Sequence, residues 1–193
     1  MRKLLLAVVL ILIAAVAWVG VRGYLARDHI DSAVARLPTF EQQMSNLEIE
    51  AARATLADIQ SDTGAARDLT SDPVWNVVGA FPWGGQNLEA VGTATATVDD
   101  VVTEGLTGLV DAGAGFVAFR DAVGSGELDS SGLTEAAAGV DALDTSLTEA
   151  REELAAIDRR YLVDRVEAAV DELEASLDVA EQAGTRFSEN LVP

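Results

Sequence analysis

The chain has no cysteine and only one histidine among its 193 residues. The absence of cysteine excludes disulfide frameworks and thiolate metal sites, and it is compatible with an oxidising exterior without requiring one. His29 follows the N-terminal apolar run and has no second histidine with which to form a paired metal site. We expect its side chain to be solvated. The sequence therefore predicts neither a metal nor a cofactor.

Catalytic signatures are also missing. The chain contains no Gly-x-Ser-x-Gly elbow, no Walker loop and no dinucleotide-binding fingerprint. Acidic pairs occur at Asp99–Asp100, at Glu152–Glu153, and at Asp158 with Asp164. Acid–base work by two carboxylates needs a pocket that separates their pKa values, and on amphipathic helices such pairs usually form the solvated face. No catalytic residue is predicted, and an enzyme is the least favoured class of function.

Basic residues are scarce, and their distribution is uneven. The chain has 13 lysines and arginines against 32 acidic residues, a net charge of −19. Every acidic residue lies at or after Asp28, so residues 28–193 carry nine basic and 32 acidic side chains, a net charge of −23. A body with this charge repels nucleic-acid phosphates. We therefore predict no nucleic-acid partner.

The N-terminus contains a long uncharged run. Leu4–Val21 holds 18 residues without a charge, which corresponds to about 27 Å of helix and to the apolar thickness of a bilayer. Trp18 and Tyr24 lie where interfacial aromatic residues belong, and Arg22 can reach the headgroups. Residues 4–21 are predicted to contact the lipid bilayer as a single transmembrane helix, and residues 1–27 form the anchor.

Two other interpretations of residues 1–27 stay open. The Ala15–Ala17 stretch is a small-residue pattern typical of signal-peptide cleavage, and a buried soluble helix is the third interpretation. For an anchor in the plasma membrane, Arg2 and Lys3 favour a cytoplasmic N-terminus and an extracytoplasmic body of residues 28–193.

Proline and glycine clusters divide that body. Pro38 predicts a break, with Thr39 capping a new helix that runs to about Leu69. Residues 123–132 are the most loop-like, and Ser131 is a candidate cap for the next helix. Residues 131–191 form either two helices joined by a tight turn near Asp158–Arg160, which we favour, or one helix with a bulge.

Seven-residue spacing marks the apolar faces of the later helices. The first helix has Leu88, Thr95, Val102, Leu109 and Phe116, with Val91, Val98, Gly105, Ala112 and Phe119 beside them. The next has Leu133, Val140, Leu147 and Leu154, with Ala136, Leu143, Ala150 and Ile157. The glycines of the first helix each cost about 1 kcal/mol of helix stability, which is tolerable where a neighbouring helix packs closely. They are Gly92, Gly105, Gly108, Gly113 and Gly115.

The segment SDPVWNVVGAFPWGGQN, residues 71–87, holds two of the four prolines and two of the three tryptophans. Ser71 or Asp72 can cap a short helix whose first residue is Pro73, and a long helix restarts near Asn87. We predict a corner that plugs the end of a bundle, with a ligand pocket as the alternative. The residues of this structural corner or possible ligand site are Asp72, Pro73, Trp75, Phe81, Pro82, Trp83, Gly85 and Asn87.

The corner resembles the N-terminal region of a family of unknown function, number 4012, from membrane-anchored proteins of high-GC Gram-positive bacteria. That family has an Asp-Pro-x-Trp segment, then Pro-x-x-Gly-x-Asn and an Ala-Val pair. The matching residues here are Asp72, Pro73, Trp75, Pro82, Gly85, Asn87, Ala90 and Val91. The resemblance implies a cell-envelope setting. It also implies a further C-terminal region, so the chain is either a fragment or a short form.

The predicted fold class is all-α, with an N-terminal transmembrane helix followed by an elongated antiparallel helical bundle. The predicted function is a non-catalytic extracytoplasmic scaffold or stalk that holds a protein partner, or a missing C-terminal domain, away from the membrane. The alternative is a sensor or ligand-binding bundle that uses Trp75 and Trp83.

Overall fold

The protein is all-α. The computed structural model describes the backbone of residues 2–79, 85–126 and 129–191, and their side chains except those of 2–13, 76 and 181–191. Seven α-helices and no strand occur in these ranges. The helices are α1 Arg2–Ser45, α2 Ile49–Thr70, α3 Pro73–Gly79, α4 Gly85–Asp100, α5 Leu106–Ser125, α6 Ser131–Ala155 and α7 Asp164–Leu191; one π-helical turn, Val101–Gly105, joins α4 to α5.

The predicted break at Pro38 is wrong, because α1 continues through this residue. Pro38 is exposed, so water can solvate the carbonyl group that loses its intrahelical partner. The helix ends at Ser45 instead. Leu47 adopts the left-handed conformation, with φ of 59°, and its N–H donates to the carbonyl of Met44 while the N–H of Glu48 donates to that of Gln43. This is the Schellman pattern, with leucine where glycine is usual.

The first core lies between α1, α2 and the middle of the long helix. Phe40 of α1 packs with Leu56 and Ile59 of α2, and Ile59 is among the largest fully buried side chains. Val102 and Val110 close this cluster from the π-turn and α5. Large aliphatic and aromatic side chains therefore fill the space between these helices.

The α5–α6 contact is built differently. A Cβ placed on Gly139 would lie 2.2 Å from the carbonyl oxygen of Gly108, and one placed on Gly132 would lie 2.4 Å from that of Gly115. The order of these pairs shows that α5 and α6 are antiparallel. Their backbones touch along a line of small residues, which is the close packing that makes helical glycines tolerable.

The predicted apolar faces are partly wrong for this reason. Phe116 is 45% exposed and Leu133 is 44% exposed, whereas Gly115 and Gly132 beside them are buried. A helix packed on both sides, with a π-turn in its middle, cannot keep one seven-residue seam facing a single neighbour.

The C-terminal half of α6 follows the sequence pattern. Leu147, Ala150 and Leu154 form a second buried cluster with Leu177 of α7. The segment between α6 and α7, residues 156–163, is the turn that we favoured over a bulge. Ser131 is not the cap of α6; its N–H donates to Oδ1 of Asp129 over 2.9 Å.

One helix within the described residues is long and apolar enough to cross a membrane by length and composition. It is the continuous stretch Gly85–Ser125, whose most apolar window is one-third buried within the protein. This stretch packs against α2 and α6. In the predicted transmembrane segment, residues 4–21, the backbone is helical as part of α1, and the side chains of residues 4–13 lie outside the described residues.

Candidate functional site

Asp72 begins the corner by capping α3. Its Oδ1 accepts hydrogen bonds from the backbone N–H groups of Val74, over 2.6 Å, and Trp75, over 2.9 Å. Pro73 occupies the first helical position, where no N–H is needed. Aspartate and proline in these two places set where the short helix begins and fix its direction.

The second oxygen of Asp72 reaches α1. Oδ2 accepts a hydrogen bond from Nε1 of Trp18 over 3.2 Å and lies 2.6 Å from Nε of Arg22. Burial raises the pKa of the Asp72 carboxyl, but the hydrogen bonds from Trp75, Trp18 and Val74 and the charge of Arg22 outweigh it, so the pKa lies below its usual value. Asp72 is therefore a charged link between the corner and the N-terminal helix.

Arg22 also holds the end of α2. Its Nε donates to the carbonyl of Leu69 over 2.9 Å, and its Nη2 donates to that of Asp68 over 2.7 Å. Its guanidinium carbon lies 5.5 Å from the centre of the Trp18 ring. A cation at the C-terminal carbonyls of a helix is stabilising. Arg22 thus joins α1, the end of α2 and the cap of α3.

Trp75 is only 4% exposed and fills the space inside the corner. Its Nε1 donates to the carbonyl of Leu88 in α4 over 2.9 Å. The far edge of its ring faces Gly23 of α1, where an added Cβ would lie 3.6 Å from the indole. The indole N–H is hydrogen-bonded and the ring is buried within the protein, so Trp75 is a packing residue.

Gly85 and Asn87 tie the corner to other elements. A Cβ on Gly85 would lie 1.6 Å from the carbonyl oxygen of Gly79, so only glycine fits where the chain returns past α3. The long helix begins at Gly85, two residues before the predicted Asn87. Asn87 bonds instead to the α6–α7 turn: its Nδ2 donates to the carbonyl of Tyr161 over 3.1 Å, and its Oδ1 accepts the N–H of Val163 over 2.8 Å.

The structure thus brings together Asp72, Pro73, Trp75, Gly85 and Asn87 of the predicted site. Phe81, Pro82 and Trp83 lie outside the described residues. Trp18 and Arg22 were not predicted as partners of Asp72, nor the α6–α7 turn as the partner of Asn87. Nothing in the spacing of a single sequence signals contacts between residues 54 or 74 positions apart.

An open groove of about 500 Å³ runs beside the corner. Mostly apolar surface lines it. Its lining residues are Thr70, Ser71, Trp75, Gly79, Leu88, Glu89, Gly92, Thr93 and Ala96. The groove offers van der Waals contact and the Glu89 carboxylate, which would suit a small apolar or cationic molecule.

The acidic pairs do more than face solvent. Asp99 accepts hydrogen bonds from Thr63, over 2.7 Å, and from Arg67, over 3.2 Å, which joins α2 to α4. Glu153 accepts from Thr97 over 2.7 Å and joins α4 to α6. The expectation of a purely solvated face is therefore wrong for these two residues. Within the described residues, no group of histidines and carboxylates could hold a metal ion.

His29 and the α6–α7 turn make polar contacts as well. Nδ1 of His29 lies 3.0 Å from Oδ1 of Asp62, so the side chain is not simply solvated as expected. In the turn, the side-chain hydrogen bonds from Arg160 lower the pKa of Asp158 to about 2. Arg159 bonds to Asp171 and Glu174 of α7. These contacts brace helices and turns and assemble no reactive centre.

No protein-family model, no curated protein and no solved structure matches this chain. The resemblance to family 4012 therefore remains a prediction that rests on the corner residues.

Proposed function

We propose that the chain is a membrane-anchored, non-catalytic helical scaffold or stalk of the cell envelope. Residues 4–21 cross the plasma membrane once, the N-terminus is cytoplasmic, and the body is extracytoplasmic. The body holds a protein partner, or a C-terminal domain of a longer form, away from the bilayer.

The observation that carries this proposal is the continuity of α1. This helix of 44 residues begins at Arg2 and runs without a break into the body, a length of about 66 Å. Where the apolar run ends, Arg22 and Trp18 fasten the helix to the ends of α2 and α3. A helix that is both long enough to leave the bilayer and bonded to the body at its exit is suited to a rigid support.

The anchor can be tested with two arginine substitutions. Replacing Val9 and Leu12 with arginine should release the full chain from membranes, since each charge at the centre of a span costs about 2.5–3.5 kcal/mol on insertion scales. Val123→Arg, an exposed position at the end of α5, is the control and should leave the chain membrane-bound. If carbonate extracted the chain without these substitutions from washed membranes, the anchor would be contradicted.

The same preparation tests sidedness and cleavage. Because the chain lacks cysteine, a single Val123→Cys variant reports one position; an impermeant maleimide should label it in intact cells. The intact mass of the membrane-bound chain should include residues 1–17. A mass that corresponds to a chain beginning at Trp18 would show signal-peptide cleavage instead.

The groove beside Trp75 favours a second candidate, an extracytoplasmic ligand-binding or sensor bundle. In that case tryptophan fluorescence should respond to an envelope component, and the response should be lost in both Trp75→Ala and Trp83→Ala. If both substitutions only lower the melting temperature, the corner is packing. Trp75→Ala alone should cost about 3–5 kcal/mol, since it empties a buried site.

A further inference from the structure

The end of the body that carries the corner also carries exposed apolar side chains. Val74 and Val77 of α3 are 38% and 64% exposed, although α3 is otherwise packed inward through Trp75. In the α6–α7 turn, Tyr161 is 72% exposed and Val163 is 55% exposed. Four apolar or aromatic side chains on two short segments, α3 and the α6–α7 turn, are thus exposed.

These two connections lie at the same end of the molecule. Gly85 touches the backbone of Gly79 at the end of α3, and Asn87, two residues later, bonds to the backbone of both Tyr161 and Val163. Asn87 therefore holds the α6–α7 turn beside the corner. The exposed side chains of the two segments therefore belong to the same end of the body.

This end adjoins the place where the anchor leaves the bilayer. Trp18, inside the apolar run, donates to Asp72 directly before α3, and Arg22, just after the run, bonds to the same carboxylate. The first residues of α3 are thus level with the last residues of the span. Val74 and Val77 follow within a turn and a half of the Asp72 cap.

The local charge also suits a lipid surface. Residues 158–165 contain three arginines and two aspartates, and Arg159 bonds to Asp171 and Glu174 of α7, so the turn is close to neutral within a body of −23. The side chain of Arg160 is 79% exposed. A tyrosine, apolar side chains and arginine together are the composition of segments that lie at membrane interfaces.

We propose that α3 and the α6–α7 turn form a second membrane-contact surface, which lies in the headgroup layer beside the anchor with Val74, Val77, Tyr161 and Val163 against lipid. This inference rests on the proposed anchor at residues 4–21. It goes beyond that anchor because it places the near end of the body on the bilayer, while the far end still projects away from it.

The test uses the full chain with single cysteines, each labelled with an environment-sensitive nitrobenzoxadiazole dye, in vesicles of phosphatidylcholine and phosphatidylglycerol. The positions are Val77→Cys and Val163→Cys on the surface, Leu10→Cys in the span and Val123→Cys as the exposed control. Nitroxide lipids labelled near the headgroup should quench the dye at 77 and 163 at least about twofold more than at 123, since interfacial segments insert roughly 5–10 Å.

The outcomes separate this inference from the anchor. If deep nitroxide lipids quench position 10 while 77 and 163 respond no more than 123, the anchor stands and the second surface is overturned. If position 10 is not quenched, the anchor fails and this inference fails with it. Disulfide cross-linking of two copies through Val77→Cys, without lipid quenching, would assign the surface to a second copy and overturn the proposal. Val74→Cys replaces either surface variant whose helical circular dichroism differs from that of the unmodified chain.

Discussion

The two most extensive helix pairs, α1–α2 and α5–α6, are both antiparallel but are held together in opposite ways. Between α1 and α2, side chains such as Phe40 and Ile59 keep the backbones apart and fill the space, with ion pairs such as Arg36–Asp62 at the edge. Between α5 and α6, glycines let the backbones touch. The first interface should therefore fail when volume is removed, and the second when volume is added.

The largest effect is expected from removing volume in the first pair. Ile59 is 1% exposed, so Ile59→Ala should cost about 2–5 kcal/mol through lost burial and a cavity. Thermal unfolding of the full chain in detergent, followed by circular dichroism, measures this. An exposed alanine substitution, Val179→Ala in α7, is the control, and an equal loss of stability in both would contradict the assignment of the core.

Adding volume to the second pair should have the next largest effect. Gly139→Ala places a methyl group against a backbone oxygen that cannot move independently of its helix, and it should cost about 1–3 kcal/mol. Gly124→Ala is the matched control, because nothing lies within 4 Å of its added Cβ. That control should be neutral or stabilise by up to about 1 kcal/mol, since alanine favours the helix. Similar behaviour of the two variants would show that α5 and α6 are not in backbone contact.

The turns that close the two pairs extend the comparison. The α5–α6 connection has glycine in the left-handed conformation, Gly126 with φ of 83°, whereas the α1–α2 turn has Leu47 with φ of 59°. Gly126→Ala should therefore destabilise by about 1 kcal/mol, because a side chain is strained there. The unfolding midpoint in urea measures the change, and an unchanged midpoint would contradict the assigned backbone conformation.

Leu47→Gly should have the smaller effect of the two turn substitutions. Glycine relieves the backbone strain but loses the partial burial of the leucine side chain, so a net gain below about 1 kcal/mol is expected. The same urea titration measures it. A large loss of stability would show that the packing of Leu47 outweighs its strain.

Asp72, which links α3 to α1 at the end of the first pair, gives that end an acid sensitivity that the glycine contact lacks. Its pKa in the folded protein is below the ordinary value of 3.8, so its contribution is full above that pH and is lost as the pH falls through the folded pKa. Asp72→Asn should thus lower the melting temperature near neutral pH, and its difference from the unmodified chain should shrink below about pH 4. Asp141→Asn, at an exposed position, is the control. If the melting temperatures of Asp72→Asn and the unmodified chain differed by the same amount at every pH, the ionic role of Asp72 would be contradicted.

The features that could be predicted from the sequence are those that depend on large side chains, and the glycine contacts could not be predicted. Apolar spacing and proline–glycine clusters identified the helical class, the short helix after Asp72, the turn near Asp158 and the second half of α6. Those features depend on local propensity and on large apolar side chains. The burial of Gly115 and Gly132 in place of Phe116 and Leu133 could not be predicted, because hydrophobic spacing assigns glycine no burial energy.

The misplaced break has a different cause. Pro38 carries a strong breaking signal, yet its cost is tolerable on an exposed face, while the real break lies in Ser45–Glu48, where no proline or glycine occurs. Of the candidate site, the cap at Asp72 and the buried Trp75 have local signals. The contacts of Trp18, Arg22 and Asn87 depend on the tertiary arrangement alone.

The unbroken course of α1 makes the body a lever. In the proposed topology, with residues 4–21 in the bilayer, no hinge separates the buried part of α1 from its outer end. The outer end must then follow any change in the inclination of the buried part. An inclination of about 20°, the average for membrane-crossing helices, would displace Ser45 sideways by about 12 Å over the roughly 24 residues that follow the apolar run. A bilayer that changes thickness would thereby change where the far end of this protein points.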